Sequence, residues 1–176
     1  MARQRKVRVL HGVLARPVAG TPKRLSSRHE TSLLILGKAS EAGAYCWAEA
    51  ARQYDIEPEL LQAIAAVESG YRAEAMNYSN NNGSRDIGLM QINSIHLPRL
   101  LKQGITEQRL LDEPCLSVEV GASILADFIK QFGYNWTAVG AYNVGPGAGG
   151  ERDALRLRYA QKIWARYEEL MQHRNG

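Results

Sequence analysis

Only two cysteines occur in the 176 residues, and the four histidines (His11, His29, His96 and His173) are scattered along the chain. Neither cysteine belongs to a Cys-x-x-Cys pair, and no two histidines stand at ligand spacing. The pattern therefore predicts no metal site and no cofactor. Long apolar runs are also missing. The best candidate, Leu33 to Leu36, is far short of the roughly 20 residues a membrane helix requires, so no span is expected. No internal repeat or low-complexity tract is visible. What is present is ordinary for a folded chain: 45% apolar and 23% charged residues, at a length that fits one domain with a real core.

Lys and Arg number 22 against 18 Asp and Glu, a net charge of +4 that points to a polyanion partner until the charges are placed. Residues 1–44 hold nine Lys/Arg and two Asp/Glu, whereas residues 45–176 hold 13 and 16. The basic excess belongs to a leader and the domain itself is mildly acidic, so no nucleic-acid partner is expected. The leader shows neither helical nor strand periodicity. It reads as a flexible tail or as a degenerate export signal. In the second case Arg24, Arg28 and His29 are its basic part, Leu33–Leu36 a short apolar part, and Ala42-Gly43-Ala44 a cleavage site. A wrongly assigned start codon would also explain a leader of this kind. Cys46 and Cys115 are two buried thiols if the chain is cytosolic. If it is exported, a bridge between them stabilises by roughly 4 kcal/mol in the chain-entropy model. Cys46 lies two residues after Ala44, at the start of the domain, and this placement favours the bridge.

Residues 45–172 read as one mainly α domain. An alanine-rich helix is expected over Tyr45–Tyr54. Pro58 suits the first position of a second helix, with Leu60, Leu61, Ile64 and Val67 on its apolar face and Gly70 at its end. Residues 77–88 are dense in Asn, Ser and Gly, so the region around 77–93 is predicted to be an irregular loop or small β-hairpin. Ser117 is placed to cap a helix reaching Phe132. Trp136–Tyr142 forms another short helix before Gly145-Pro146-Gly147. A last helix, about Asp153 to Gln172, is expected to bury Leu155, Tyr159, Ile163 and Tyr167.

Glu68 stands out because it falls on the apolar stripe, four residues after Ile64 and seven after Leu61. A carboxylate there loses hydration, and desolvation raises its pKa toward the range of a general acid. The structural alternative is a side chain that bends to solvent or pairs with Arg72. Asp86 follows in a polar, glycine-rich loop. One acid in an apolar setting and a second in a wet one is the division of roles used in glycoside cleavage, for which lysozyme is the standard example. Asp86 alone would more often brace its own loop.

Three motifs then make the chain recognisable. Glu68-Ser69-Gly70, Gly88-Leu89-Met90-Gln91-Ile92-Asn93 and Ala141-Tyr142-Asn143-Val144-Gly145 resemble, in order, the core motifs of the soluble lytic transglycosylase domain. Tyr159 followed by Ile163 resembles its fourth motif, and the likeness runs from about Cys46 to Tyr167. Cys46-Trp47 and Pro114-Cys115 are similar to the small members that accompany type III secretion, type IV pilus and conjugation machines, which are exported and disulfide-bonded.

The resemblance implies a lysozyme-like fold, a periplasmic setting and peptidoglycan glycan strands as partner. Glu68 becomes the single acid/base, which protonates the bond between N-acetylmuramic acid and N-acetylglucosamine and then drives closure of an anhydro ring. Ser69 is implied to hold Glu68 or the substrate's acetyl group, while Gly70 leaves room for sugar. Met90, Gln91 and Asn93 are expected beside the glycan, the last two on one side of an extended segment. Tyr142 and Asn143 end a helix at the site, with Tyr142 reaching the Glu68 carboxyl, and Tyr159 braces the acid. Tyr71, Tyr78 and Trp136 are candidate stacking platforms. The stretch Asn82 to Gly88 also resembles the loop bearing the second carboxylate of animal-type lysozymes. Asp86 is therefore a second candidate catalytic residue, and a hydrolytic muramidase remains open beside the ring-closing route.

Overall fold

The computed structural model of the chain describes residues 46–175. The basic leader of residues 1–44 lies outside the described residues, as does Tyr45. Helices α1 (Trp47–Tyr54) and α2 (Pro58–Ser69) are followed by three two-residue strands, β1 (Met76–Asn77), β2 (Asp86–Ile87) and β3 (Ile92–Asn93). A 3₁₀ turn at Ser94–His96 leads into α3 (Leu97–Leu101), α4 (Glu107–Asp112), α5 (Pro114–Phe132), α6 (Trp136–Val144) and α7 (Gly150–Asn175). The expected mainly α, lysozyme-like architecture with a small β element over 77–93 is what forms.

Helix α2 is the central element. Pro58 occupies its first turn, where a missing N–H costs nothing, and Gly70 ends it in the left-handed conformation at φ 61°. Leu60, Leu61, Ala63, Ile64 and Ala65 are fully buried, because α1, α5 and α7 all pack around it. Burying a Leu or Ile side chain contributes roughly 1.5–3 kcal/mol, so this helix anchors the domain. Cys46 and Cys115 form the expected bridge, with an S–S distance of 2.06 Å. It ties the start of α1 to the first turn of α5.

Helices α6 and α7 pack closely because Gly140 has no side chain. A Cβ there would stand 2.6 Å from both the Cβ and the carbonyl oxygen of Arg156. Trp136 packs edge-on against Trp164 with ring centroids 5.2 Å apart, and Tyr167 completes the cluster. Trp136 is thus core and offers no face to a sugar.

The strands form one antiparallel sheet in the order β1-β2-β3. Its register pairs Met76 with Ile87 and Ile87 with Ile92, and beside them Asn77 with Asp86 and Asp86 with Asn93. Opposed residues share a face. Ile87 and Ile92 accordingly enter the core while Asn77, Asp86 and Asn93 stand in a row on the other side.

Several details differ from the expectation. Helix α5 starts at Pro114, so Ser117 is interior; its hydroxyl accepts from the Met90 amide at 3.3 Å instead of capping. Helix α6 runs on to Val144, and α7 starts at Gly150. Leu155 is 38% exposed, and Arg156 takes the buried position beside it. The short helices α3 and α4 carried no periodicity long enough to be read from sequence.

Candidate active site

Glu68 lies in the last turn of α2, where the apolar stripe meets the polar loop region. Its carboxyl is largely enclosed, and the Tyr159 hydroxyl from α7 donates to Oε1 at 2.5 Å. Burial pushes the Glu68 carboxyl up to about 7, and the negative charge of Asp86 adds to the rise. The Tyr159 hydrogen bond and the positive charge of Lys162 hold it back. The desolvation predicted from the helical wheel is therefore the dominant effect. Tyr159 and Tyr142 are both raised well above the usual phenol range, first by burial and then by the Glu68 charge, so each remains a neutral donor near neutral pH.

Asp86 faces the same cleft and is held by amides that the strand register and the loop between β1 and β2 bring to it. Asn93 Nδ2 donates to its Oδ1 at 2.7 Å, while Asn77 Nδ2 and Asn80 Nδ2 donate to Oδ2 at 2.9 and 3.0 Å. Ser84 accepts from both Asn80 and Asn93, which fixes which end of each amide meets the carboxyl. Arg85 pairs with Glu107 on α4, so the loop is fastened on its outer side as well. Charge-assisted bonds of this kind are about twice as strong as neutral ones. Asn77 and Asn80 are participants that sequence reading missed: they counted only as turn formers, and it takes the strand register for Asn77 and the loop conformation for Asn80 to show that they point at Asp86.

Between the two acids lies a cleft of about 180 Å³, whose walls include Asn80, Gln91, Asn93, Tyr142 and Asn143. The sequence motifs thus converge on one place, although several residues act otherwise than expected. Gln91 is not part of an extended segment. It has a φ of 46°, and its amide donates to the carbonyls of Ala75 and Gly88 at 3.1 and 2.8 Å, so it closes the turn as well as lining the cleft. Gly88 is required in that turn, since at φ 72° a Cβ would approach the Leu110 carbonyl to 2.7 Å.

Met90 is fully buried with its side chain packed against Gly121, which removes its side chain from contact with a glycan. Ser69 is also buried. Its hydroxyl donates to the carbonyls of Ala65 and Leu89, at 3.2 and 2.7 Å, and so joins the end of α2 to the loop instead of holding Glu68. Tyr142 donates to the Met90 carbonyl at 2.9 Å and not to the Glu68 carboxyl. Gly70 and Asn143 are exposed near the site, as a contact with substrate requires. Tyr159 is buried behind Glu68, where it can hold the acid but not a sugar. Of the aromatic platforms, Tyr78 is exposed and Tyr71 half-buried.

Arg156 is a further residue the sequence reading passed over. It is buried, donates to the Gly145 carbonyl at 2.7 Å and to the Gly147 carbonyl, and lies over the Phe132 ring. Arg152 donates to the Val144 carbonyl at 2.9 Å. Together they hold the turn that follows Asn143. The available signal was an arginine on the buried side of α7, masked by the regular spacing of Leu155 and Tyr159.

The sequence model of the Transglycosylase SLT domain matches residues 45–166. Invasion protein IagB of Salmonella typhimurium is 53% identical over 129 residues, covering 73% of this chain and 79% of that protein. Protein IpgF of Shigella flexneri is 46% identical over 124 residues, covering 70% and 80%. In three dimensions the chain is similar to an inactive mutant of lytic transglycosylase Slt from Pseudomonas aeruginosa, with a TM-score of 0.58 and 21% identity. That likeness covers 81% of this chain and 25% of the larger one, and it concerns the fold.

Proposed function

The chain belongs to the Transglycosylase SLT domain family, and from that premise we propose that Glu68 is both the acid and the base of its reaction. The enzyme is a peptidoglycan lytic transglycosylase. In the proposed route protonated Glu68 gives its proton to the oxygen of the β-1,4 bond between N-acetylmuramic acid and N-acetylglucosamine, and that bond breaks. The Glu68 carboxylate then takes the proton of the muramyl primary hydroxyl as its oxygen closes on the anomeric carbon. An anhydro ring forms and the acid is restored, with no water consumed. The observation that carries this reading is a carboxyl raised to about 7 and held by Tyr159 at the wall of an amide-lined cleft. A pKa near the working pH suits a group that must both give and accept a proton.

Asp86 is proposed to support the positive charge that develops at the anomeric carbon. Its fixed orientation favours that role, because a preorganised charge needs no reorganisation during the reaction. The same geometry supports a second reading, in which Asp86 serves a hydrolytic muramidase route and water takes the place of the internal hydroxyl. Mass spectrometry of muropeptides released from purified wall separates the two. Anhydro ends uphold the first reading, and reducing ends overturn it in favour of the second.

We place the enzyme in the periplasm, where it opens the wall locally for a secretion, pilus or conjugation machine. The Cys46–Cys115 bridge supports an oxidising compartment. The name of the Salmonella relative, an invasion protein, accords with a secretion role. No helix among the described residues is long and apolar enough to cross a membrane.

A further inference from the structure

The loop between β1 and β2 holds three consecutive asparagines followed by glycine and serine, Asn80-Asn81-Asn82-Gly83-Ser84. Asn81, Asn82 and Gly83 are exposed. The Asn82 side chain folds back in an Asx turn, in which its Oδ1 accepts from the Ser84 amide at 3.0 Å and from the Ser84 hydroxyl at 2.7 Å. Two donors aimed at one carbonyl oxygen are the arrangement that stabilises the charge formed there when the carbonyl carbon is attacked. The turn also brings that carbon over the peptide nitrogen between Asn82 and Ser84, which belongs to Gly83. No side chain hinders this nitrogen. Gly83 has a φ of 75°, and nothing lies within 4 Å of the place a Cβ would take.

We infer that Asn82-Gly83 is a self-modification site, at which the chain converts its own asparagine to aspartate or isoaspartate and thereby loosens the hold on Asp86. The Gly83 nitrogen loses its proton to solvent base and forms a bond to Asn82 Cγ. The Cγ–Nδ2 bond breaks, and the nitrogen takes up a proton and leaves as ammonia. Water then opens the resulting succinimide, at Cγ to give isoaspartate's opposite, ordinary aspartate, or at the backbone carbonyl to give isoaspartate. To react, the Gly83 N–H gives up its bond to the Asn80 carbonyl at 3.0 Å. Asn80 is itself a donor to Asp86. Ser84 is the second link, since its hydroxyl donates to Asn82 and accepts from Asn80 and Asn93, both of which hold Asp86. In isoaspartate the chain runs through the former side chain and is one bond longer, so the turn no longer presents Ser84 to those amides. The modification stands on the loop geometry alone, whereas its effect on turnover rests on the proposed role of Asp86.

Peptide mass spectrometry tests the modification on the folded, disulfide-bonded chain during incubation at mildly alkaline pH. Asn82 is expected to convert ahead of Asn77, Asn80, Asn81 and Asn93. Ser84→Ala slows its conversion about threefold to tenfold, the worth of one hydrogen bond, while Ser84→Thr keeps the hydroxyl and most of the rate. An Asn82 that converts no faster than Asn81 overturns the inference, as does a folded Ser84→Ala protein that converts at the wild-type rate. The converted enzyme carries one more negative charge and separates on anion exchange. Its kcat for glycan release is expected to be about threefold to tenfold lower at similar KM. In Asp86→Asn protein the same conversion lowers kcat no further. Equal kcat for converted and unconverted wild type, or an equal loss in the Asp86→Asn protein, overturns the link to Asp86. If neither wild-type form releases glycan, it is the proposed reaction that fails, and the mass series still decides the modification.

Discussion

Replacing Glu68 by Gln should make the folded protein more stable at pH 8 and less stable at pH 4. A carboxyl that titrates at 4.5 in the unfolded chain and at about 7 in the fold binds a proton more tightly when folded. Between those two values the native state holds more protons than the unfolded state, so stability falls as pH rises. Below about 4.5 both states are protonated and there is no penalty. Above about 7 both are ionised and the whole penalty is present. A difference of roughly 2.5 units at 1.36 kcal/mol each amounts to about 3 kcal/mol. Gln keeps the shape and can accept from Tyr159, but it places an amide N–H pair in the same enclosed space, at a cost of about 1–2 kcal/mol. The net gain at pH 8 should therefore be about 1–2 kcal/mol, with the variant the less stable protein by a similar amount at pH 4. Urea unfolding of both proteins from pH 4 to 8, with the disulfide intact, gives the difference directly. Other titrating groups are common to both proteins and cancel. A stability difference that does not change with pH, or one that moves in favour of wild type as pH rises, would refute the reasoning.

Tyr159→Phe removes the hydrogen bond that restrains the Glu68 pKa, so the alkaline limb of the pH–kcat profile should move upward while kcat falls; an unmoved limb would detach Tyr159 from the acid. Asp86→Asn should lower kcat at least tenfold with little change in KM, because a charge that acts in the transition state is lost. It should also cost about 1–2 kcal/mol in unfolding experiments, since an amide cannot accept from Asn77, Asn80 and Asn93 at both of its ends. A higher KM at unchanged kcat would reduce Asp86 to a loop brace. Serine at both Cys46 and Cys115 should destabilise by roughly 2–5 kcal/mol in urea titrations, and adding reductant should bring the wild type to the same midpoint.

The helices were legible where apolar spacing ran for several turns, as in α2 and α7, and invisible where they were a turn or two long, as in α3 and α4. Glu68 was legible because a helical wheel is local: its clash with the stripe of Leu61 and Ile64 needs no tertiary knowledge. The cradle of Asp86 was not, because it depends on strands of two residues, paired without alternation through the turn at Gly88 and Gln91, and on the long loop that carries Asn80. Met90 and Ser69 belong to motifs whose resemblance marks them as important, yet their contacts are internal. A motif says that residues are required together, and only the fold says which of them face the cleft. Leu155 and Arg156 exchanged places for a related reason. Periodicity favoured the leucine, while the open carbonyls of Gly145 and Gly147 drew the arginine inward.

The most direct test of the account is the initial rate of glycan release from purified peptidoglycan by wild-type and Glu68→Gln protein, both shown to be folded by circular dichroism. General acid and base assistance is typically worth about 10²–10⁴-fold, and Gln supplies neither. The account predicts that the variant retains less than about one hundredth of the wild-type rate while still binding the wall. A Glu68→Gln protein that releases glycan at half the wild-type rate would contradict it.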